Sequence, residues 1–199
     1  MSTTSEIIKL AKARLSFARL FQPKSFREGQ KPRFEGSFLI DPTSKAGQKQ
    51  IQNVLAEAAG VIKAKFQGKI PKKLKFGFGY ADGDDFEIDG VSFHSEVKDY
   101  DGYEGMFYVS CANTTRPTVV DRDRTPLCEE DGKPYSGCYV NGTLTLWAQD
   151  NEYGQRVNAN LRGVQFYKDG DAFGVKPVDA DEEFDDIEED FDDEDSFLD

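Results

Sequence analysis

Cations and aromatic rings alternate along several short stretches of this chain. Arg14, Phe17, Arg19 and Phe21 stand within ten residues, and Arg33 precedes Phe34 and Phe38. Tyr139 and Trp147 share one alternating face with Asn141, Thr143 and Thr145. Arg116, Arg122 and Arg124 crowd a segment with little apolar content, and Arg162 falls on the polar face of a last apolar-polar run. A guanidinium can neutralise a phosphate, and a ring face can stack on an unpaired base. Binding a single nucleic-acid strand without sequence preference needs both, a cationic groove that tracks the backbone and rings that take the bases. The competing reading is packing: Phe34 and Phe38 suit a core, and Phe17 and Phe21 lie on a run apolar on both faces. Lys45, Lys49, Lys63 and Lys65 suit a solvated helix face.

The elements that must carry these residues are legible from period. Residues 12–21 read as a strand with Leu15, Phe17, Arg19 and Phe21 on one face, after a polar lead-in over 1–11. Residues 22–32 form a cationic loop, and 33–40 a second strand. Asp41-Pro42-Thr43-Ser44 starts a helix over about 44–66, with Thr43 or Ser44 as N-cap. A second basic cluster surrounds Pro71. Residues 77–105, rich in Gly, Asp and Tyr, hold short strands near 86–88 and 91–93 and receive no role in this reading. Strands follow at 104–112, 138–148 and 156–167, and residues 113–125 read as an extended hairpin arm. Five clear strands, one helix and loops of uneven length predict a mainly β fold, a five-stranded OB-type barrel with one inserted helix.

Charge divides the chain. It carries 25 basic and 37 acidic residues, net −12. Fourteen of the acids lie in residues 179–199, where there is no Lys or Arg. Residues 1–178 therefore hold 25 basic and 23 acidic side chains. A run of like charges repels itself and cannot bury enough apolar surface to fold. The expected organisation is one binding domain over 1–178 and a disordered acidic tail over 179–199. Residues 1–80 hold 16 basic and 5 acidic side chains, an asymmetry that hints at polyanion contact. An acidic tail on a basic body suggests a tail able to occupy the body's own polyanion site.

Other chemistries are weaker. Asp82, Asp84, Asp85 and Glu87 could bind a divalent ion, which makes a metal-dependent nuclease the alternative. No carboxylate pair adjoins a Lys or His that reads as a general base, and Asp- and Gly-rich segments are usually turns. Cys111, Cys128, Cys138 and His94 lack the paired spacing of zinc ligands. No metal, cofactor or enzyme activity is expected. A DNA-mimicking inhibitor is disfavoured by the basic first half. Residues 1–6 are polar without a signal-peptide core, and the acidic tail disfavours a membrane surface.

Three pieces carry a resemblance: Lys12-Ala13-Arg14-Leu15-Ser16-Phe17, the run Leu161-Arg162-Gly163-Val164-Gln165-Phe166, and the ending Phe191-Asp192-Asp193-Glu194-Asp195-Ser196-Phe197-Leu198-Asp199. With them the chain resembles bacteriophage single-stranded DNA-binding proteins, whose OB-fold body is followed by an acidic tail with an aromatic near its end. The resemblance implies a protein of the infected host's cytoplasm that coats exposed strands in replication or recombination. It also implies that the tail recruits replication proteins such as a polymerase or helicase, with Phe191, Phe197 and Asp199 as the partner-binding residues.

Overall fold

The structure, a computed structural model, describes residues 3–25 and 28–174. Its elements run in the order β1 (Ile8–Lys24), β2 (Arg33–Ile40), α1 (Lys45–Lys65), β3 (Lys75–Phe76), β4 (Phe78–Tyr80), β5 (Asp85–Ile88), β6 (Val91–His94), β7 (Phe107–Asn113), β8 (Thr118–Val120), β9 (Tyr139–Asn151) and β10 (Gly154–Lys168). Five of the strands close a ring. β1 pairs with β2 and β9, β2 with β7, and β9 with β10, all antiparallel. A parallel pairing of β7 with β10, Ala159 opposite Cys111 and Asn160 opposite Ala112, completes the circuit. This is a five-stranded OB-type barrel. β3, β7 and β8 lie one after another along the same edge of β10, opposite 156–157, 159–160 and 163–165.

β1 makes the closure possible. Its seventeen residues pair with β9 over the first part and with β2 over the second, and Arg14 has a partner on each side. A flat strand cannot turn from one sheet edge to the other. Two bulges bend this one, at Lys12 (φ 55°) and Phe17 (φ 50°), where the register shifts. The second bulge also reverses the side-chain phase. Leu15 and Leu20, an odd number of residues apart, are both buried, while Phe17 is 40% exposed. Strict alternation, which puts Leu15, Phe17, Arg19 and Phe21 on one face, therefore fails at Phe17. The strand also begins earlier than the polar lead-in suggests, because Ile8 and Leu10 enter the core.

Phe34 and Phe38 are buried, and Phe38, completely enclosed, shares one interior cluster with Leu15, Leu144 and Leu161. Gly142 on β9 faces the Phe38 ring so closely that any side chain would collide with it. The helix follows its sequence signals. Ser44 is the N-cap and accepts the Gly47 N–H at 3.0 Å, and Lys63 and Lys65 sit in the last turn, where a cation complements the helix dipole. Its apolar stripe, Ile51, Val54, Ala58, Val61 and Ile62, is buried against the barrel.

Segment 77–105 is folded onto the body. β5 and β6 form a hairpin about Asp89-Gly90, both at positive φ (48° and 76°), the type I′ geometry that an Asp-Gly pair favours. Phe86 and Phe93 of that hairpin meet Phe76 at 5.1 and 4.8 Å between ring centres. Residues 113–125 do not extend as a free arm: β8 adds to β10, and the turn behind it returns through a bridge from Val120 to Pro126.

Two substitutions separate core from surface. Phe38→Ala is expected to cost about 3–5 kcal/mol, the usual loss for a buried Phe. At Phe17 a glycine relieves about 1–2 kcal/mol of left-handed strain and gives back about 0.5–1 in chain entropy, so Phe17→Gly should stay within about 1 kcal/mol of the parent. Urea unfolding reads both, and a Phe17→Gly loss above about 2 kcal/mol would make that ring part of the core.

Candidate nucleic-acid interface

The barrel face over β2, β7, β10 and β9 carries a groove of about 790 Å³. Its floor is made of β-strand residues, among them Gly36 and Ser37, Ser110 to Asn113, Asn158 to Asn160, and Trp147 with Gln149. One wall comes from the end of segment 77–105, which contributes Lys98, Tyr100 and Tyr103. Phe17 meets Tyr100 edge-to-face at 5.1 Å, and Tyr100 is 53% exposed. The bulge explains this contact, since only the left-handed turn at Phe17 carries its ring out of the core.

Three cations line the groove: Arg33, Lys98 and Arg156. Arg33 and Arg156 have no ion-pair partner among the described residues. Lys98 contacts Glu96 at 3.1 Å and lies 5.7 Å from the Tyr108 ring centre. The groove's own acid, Glu35, is paired with Arg19 at 3.4 Å. The balance of charge on the groove is thus positive. Its polar floor is fixed by internal bonds: Asn113 donates to the Leu161 carbonyl at 2.9 Å, and Asn158 to Gln149 Oε1 at 3.1 Å. Burial holds the Tyr103 hydroxyl above its ordinary pKa, outweighing the nearby Ser37 and Ser16 hydroxyls, and pushes that of Tyr108, below the Lys98 wall, up to about 12. Both tyrosines stay neutral through the physiological range, so the groove's charge rests on its arginines and lysine.

Of the residues singled out from sequence, Phe17, Arg33 and Trp147 meet in this groove. Arg124 and Arg162 line a second cleft, of about 560 Å³, with Lys9, Asn141 and Thr143. The two sites are joined along β10: Arg156, Asn158 and Asn160 line the groove, and Arg162 continues the same alternating face into the cleft. Arg14 donates to the carbonyls of Gly137 (3.0 Å) and Asp171 (2.9 Å) and lies 4.4 Å from the Phe173 ring centre. Tyr139 is flanked by Arg14 and Lys168, away from the groove. Arg116 sits over the Phe21 ring at 5.7 Å, and Arg122 is exposed in the turn after β8. Phe191, Phe197 and Asp199 lie outside the described residues.

Sequence reasoning missed Lys98, Tyr100, Tyr103 and Arg156. The first three repeat the cation-ring alternation inside a Gly- and Asp-rich stretch, and that repetition was their only signal. Arg156 shares its face with Asn158, Asn160 and Arg162, a polar row that marks the outside of β10. The acidic cluster is dispersed: Asp82 accepts the Gly105 N–H at 3.0 Å, and Asp85 pairs with His94 at 2.9 Å. Among the described residues no three His, Cys, Asp or Glu groups converge on a common point. Cys111 and Cys138 are buried free thiols, raised by burial, and Cys128 is exposed beside Asp131.

Comparison with known proteins gives a consistent answer. The family described as the Enterobacter phage Enc34 ssDNA-binding protein matches residues 6–197. Putative protein p50 of Acyrthosiphon pisum secondary endosymbiont phage 1 is 40% identical over 187 residues, covering 90% of this chain and 93% of that one. Among solved structures, the single-stranded DNA-binding protein of bacteriophage Enc34 in complex with ssDNA superposes with a TM-score of 0.68 at 26% identity, over 84% of this chain and 89% of its own. The gp2.5 single-stranded DNA-binding protein of bacteriophage T7 shares the fold at 16% identity, with a TM-score of 0.50 over 94% of both chains. The chain thus belongs to the family of phage single-stranded DNA-binding proteins represented by that of Enterobacter phage Enc34.

Proposed function

We propose that this protein coats single-stranded DNA without sequence preference during phage replication or recombination, in the cytoplasm of the infected cell. The observation that carries the reading is one groove holding the exposed Phe17–Tyr100 pair, Trp147 and the cations Arg33, Lys98 and Arg156. Rings that stack and cations that track phosphates are what a strand with unpaired bases requires. The solved relative that holds ssDNA supports the choice of ligand. The stripe Arg156–Asn158–Asn160–Arg162 leads the strand from the groove towards Arg124 and Arg162 in the second cleft. Arg14 and Tyr139 act from beneath, by holding β1 to the loop at Gly137; Arg116 and Arg122 offer phosphate contacts at the margin.

The acidic tail competes for the same groove and, when displaced, recruits replication proteins. Gly174, the last described residue, donates its N–H to Asp101, next to Tyr100, at 3.0 Å. Gly174 itself thus stands at the groove's rim. A flexible tether of about twenty residues spans roughly 25 Å root-mean-square. Its carboxylates are then present at the groove at a local concentration on the order of millimolar. A bound strand displaces them and frees Phe191 and Phe197 for an apolar, basic-rimmed pocket on a polymerase or helicase.

Four measurements test this. Stacking is worth about 1–3 kcal/mol per unpaired base, so oligo-dT should bind at least tenfold more tightly than duplex of equal length, with quenching of Trp147 fluorescence. Equal affinity for the two would end the stacking account. Arg33→Ala and Arg156→Ala should each weaken binding to all sequences alike and flatten the salt dependence by about 0.7, whereas Arg14→Ala should lower stability and leave that slope in place. Truncation after Val178 should tighten strand binding, most at low salt where the competition is least screened, and abolish partner capture. A truncated chain that binds no more tightly at low salt would remove tail competition. Phe197→Ala should impair partner binding alone.

A further inference from the structure

We infer that the groove continues past Arg156 into a second strand-binding subsite, built from the Tyr153 ring and the lysines Lys72, Lys73 and Lys75. The inference rests on the reading of the groove as a single-strand site. In this direction the groove's lining ends at Gly77 and Arg156. Lys75 is the register partner of Arg156 on the adjacent parallel strand, about 4.8 Å away. Leu74 and Phe76 are buried and Lys75 between them is exposed; Lys72 and Lys73 are exposed in the turn that precedes the strand. Among the described residues none of the three has a carboxylate within ion-pair distance. A strand whose phosphates follow Arg33, Lys98 and Arg156 meets this cluster next.

The ring comes from the other side. Gln149 and Arg156, both lining the groove, face each other across β9 and β10, and the hairpin closes two residues further on, at Asn151 opposite Gly154. Tyr153 stands in that turn at 84% exposure, and its backbone N–H is held by Asn151 Oδ1 at 3.0 Å. The turn is thus fixed while the ring stays in water and serves no core. The charged residues at the tip of the hairpin, Asp150 and Glu152, are acidic, so the phosphates are drawn to the lysine side and a base is left for the ring. The ligand class is a nucleotide of the same single strand, its base on Tyr153 and its phosphates on the lysines.

The test is the length dependence of binding, by anisotropy with labelled oligo-dT of about 5 and about 16 nucleotides, within the range one OB fold covers. Tyr153→Ala should lower the ratio of long- to short-oligomer affinity about tenfold, the equivalent of one stacked base. The triple Lys72→Gln/Lys73→Gln/Lys75→Gln change should flatten the salt slope for the long oligomer by about 2. An unchanged ratio and slope, with Arg33→Ala still weakening both lengths, overturns the extension alone. Equal weakening at both lengths also overturns it, since the residues would then act inside the groove. Arg33→Ala without effect at either length overturns the groove reading and the extension with it.

Discussion

The bend of β1 is the constraint on which the rest depends. A single strand that pairs with both β9 and β2 must change direction, and backbone held at positive φ by Lys12 and Phe17 does this. Left-handed backbone costs about 1–2 kcal/mol per non-glycine residue, so it persists where the surroundings enforce it. Here the enforcement is the core itself. Leu10, Ala13, Leu15 and Leu20 are all buried, and no unbent strand could bury them together. What is left over at the bend is a phenylalanine ring pointed at solvent. The barrel's closure and the groove's leading ring are therefore one event in the backbone.

Around that bend the labour divides by element type. Regular strands give the groove a floor whose amides are bonded to one another and to the backbone. The irregular segment 95–105 gives a wall, Lys98 and Tyr100, braced by Tyr103 and Tyr108 in a small apolar cluster with Leu39 and Ala81. Rigid floor and loop wall together fit a ligand that repeats along its length but varies in its bases. With both tyrosine hydroxyls neutral, the groove's charge near neutral pH is that of Arg33, Lys98 and Arg156 against Glu35.

Much of this was legible in the sequence. The span 33–40, the helix with its Ser44 cap, and the faces of β9 and β10 follow local rules that the structure obeys. Phe34 and Phe38 as core, and Phe17 and Trp147 beside Arg33 in one groove, were also within reach. The failures have a common cause. The phase of β1 turned on a bulge, and periodicity assumes none. Arg156 and the wall at Lys98 and Tyr100 became neighbours only through barrel closure, between residues more than fifty positions apart. For Arg14 a sequence records the charge and not the two carbonyls it holds. β8 was invisible because three residues pairing in parallel with a distant strand leave no pattern.

The ring closes through its shortest pairing. β7 and β10 share only two register pairs, reinforced by Gly77, which donates to Val157 O at 2.9 Å and accepts from Ser110 N at 2.8 Å. This seam lies directly under the groove, whose lining runs across it from Ser110–Asn113 to Arg156–Asn160. A strand laid in the groove, as proposed, would bridge the barrel's least-bonded joint, as a clasp spans the two ends of a band. On the proposed reading of the groove, occupancy and closure are linked equilibria, and a strand that fits only the closed joint would resist its opening.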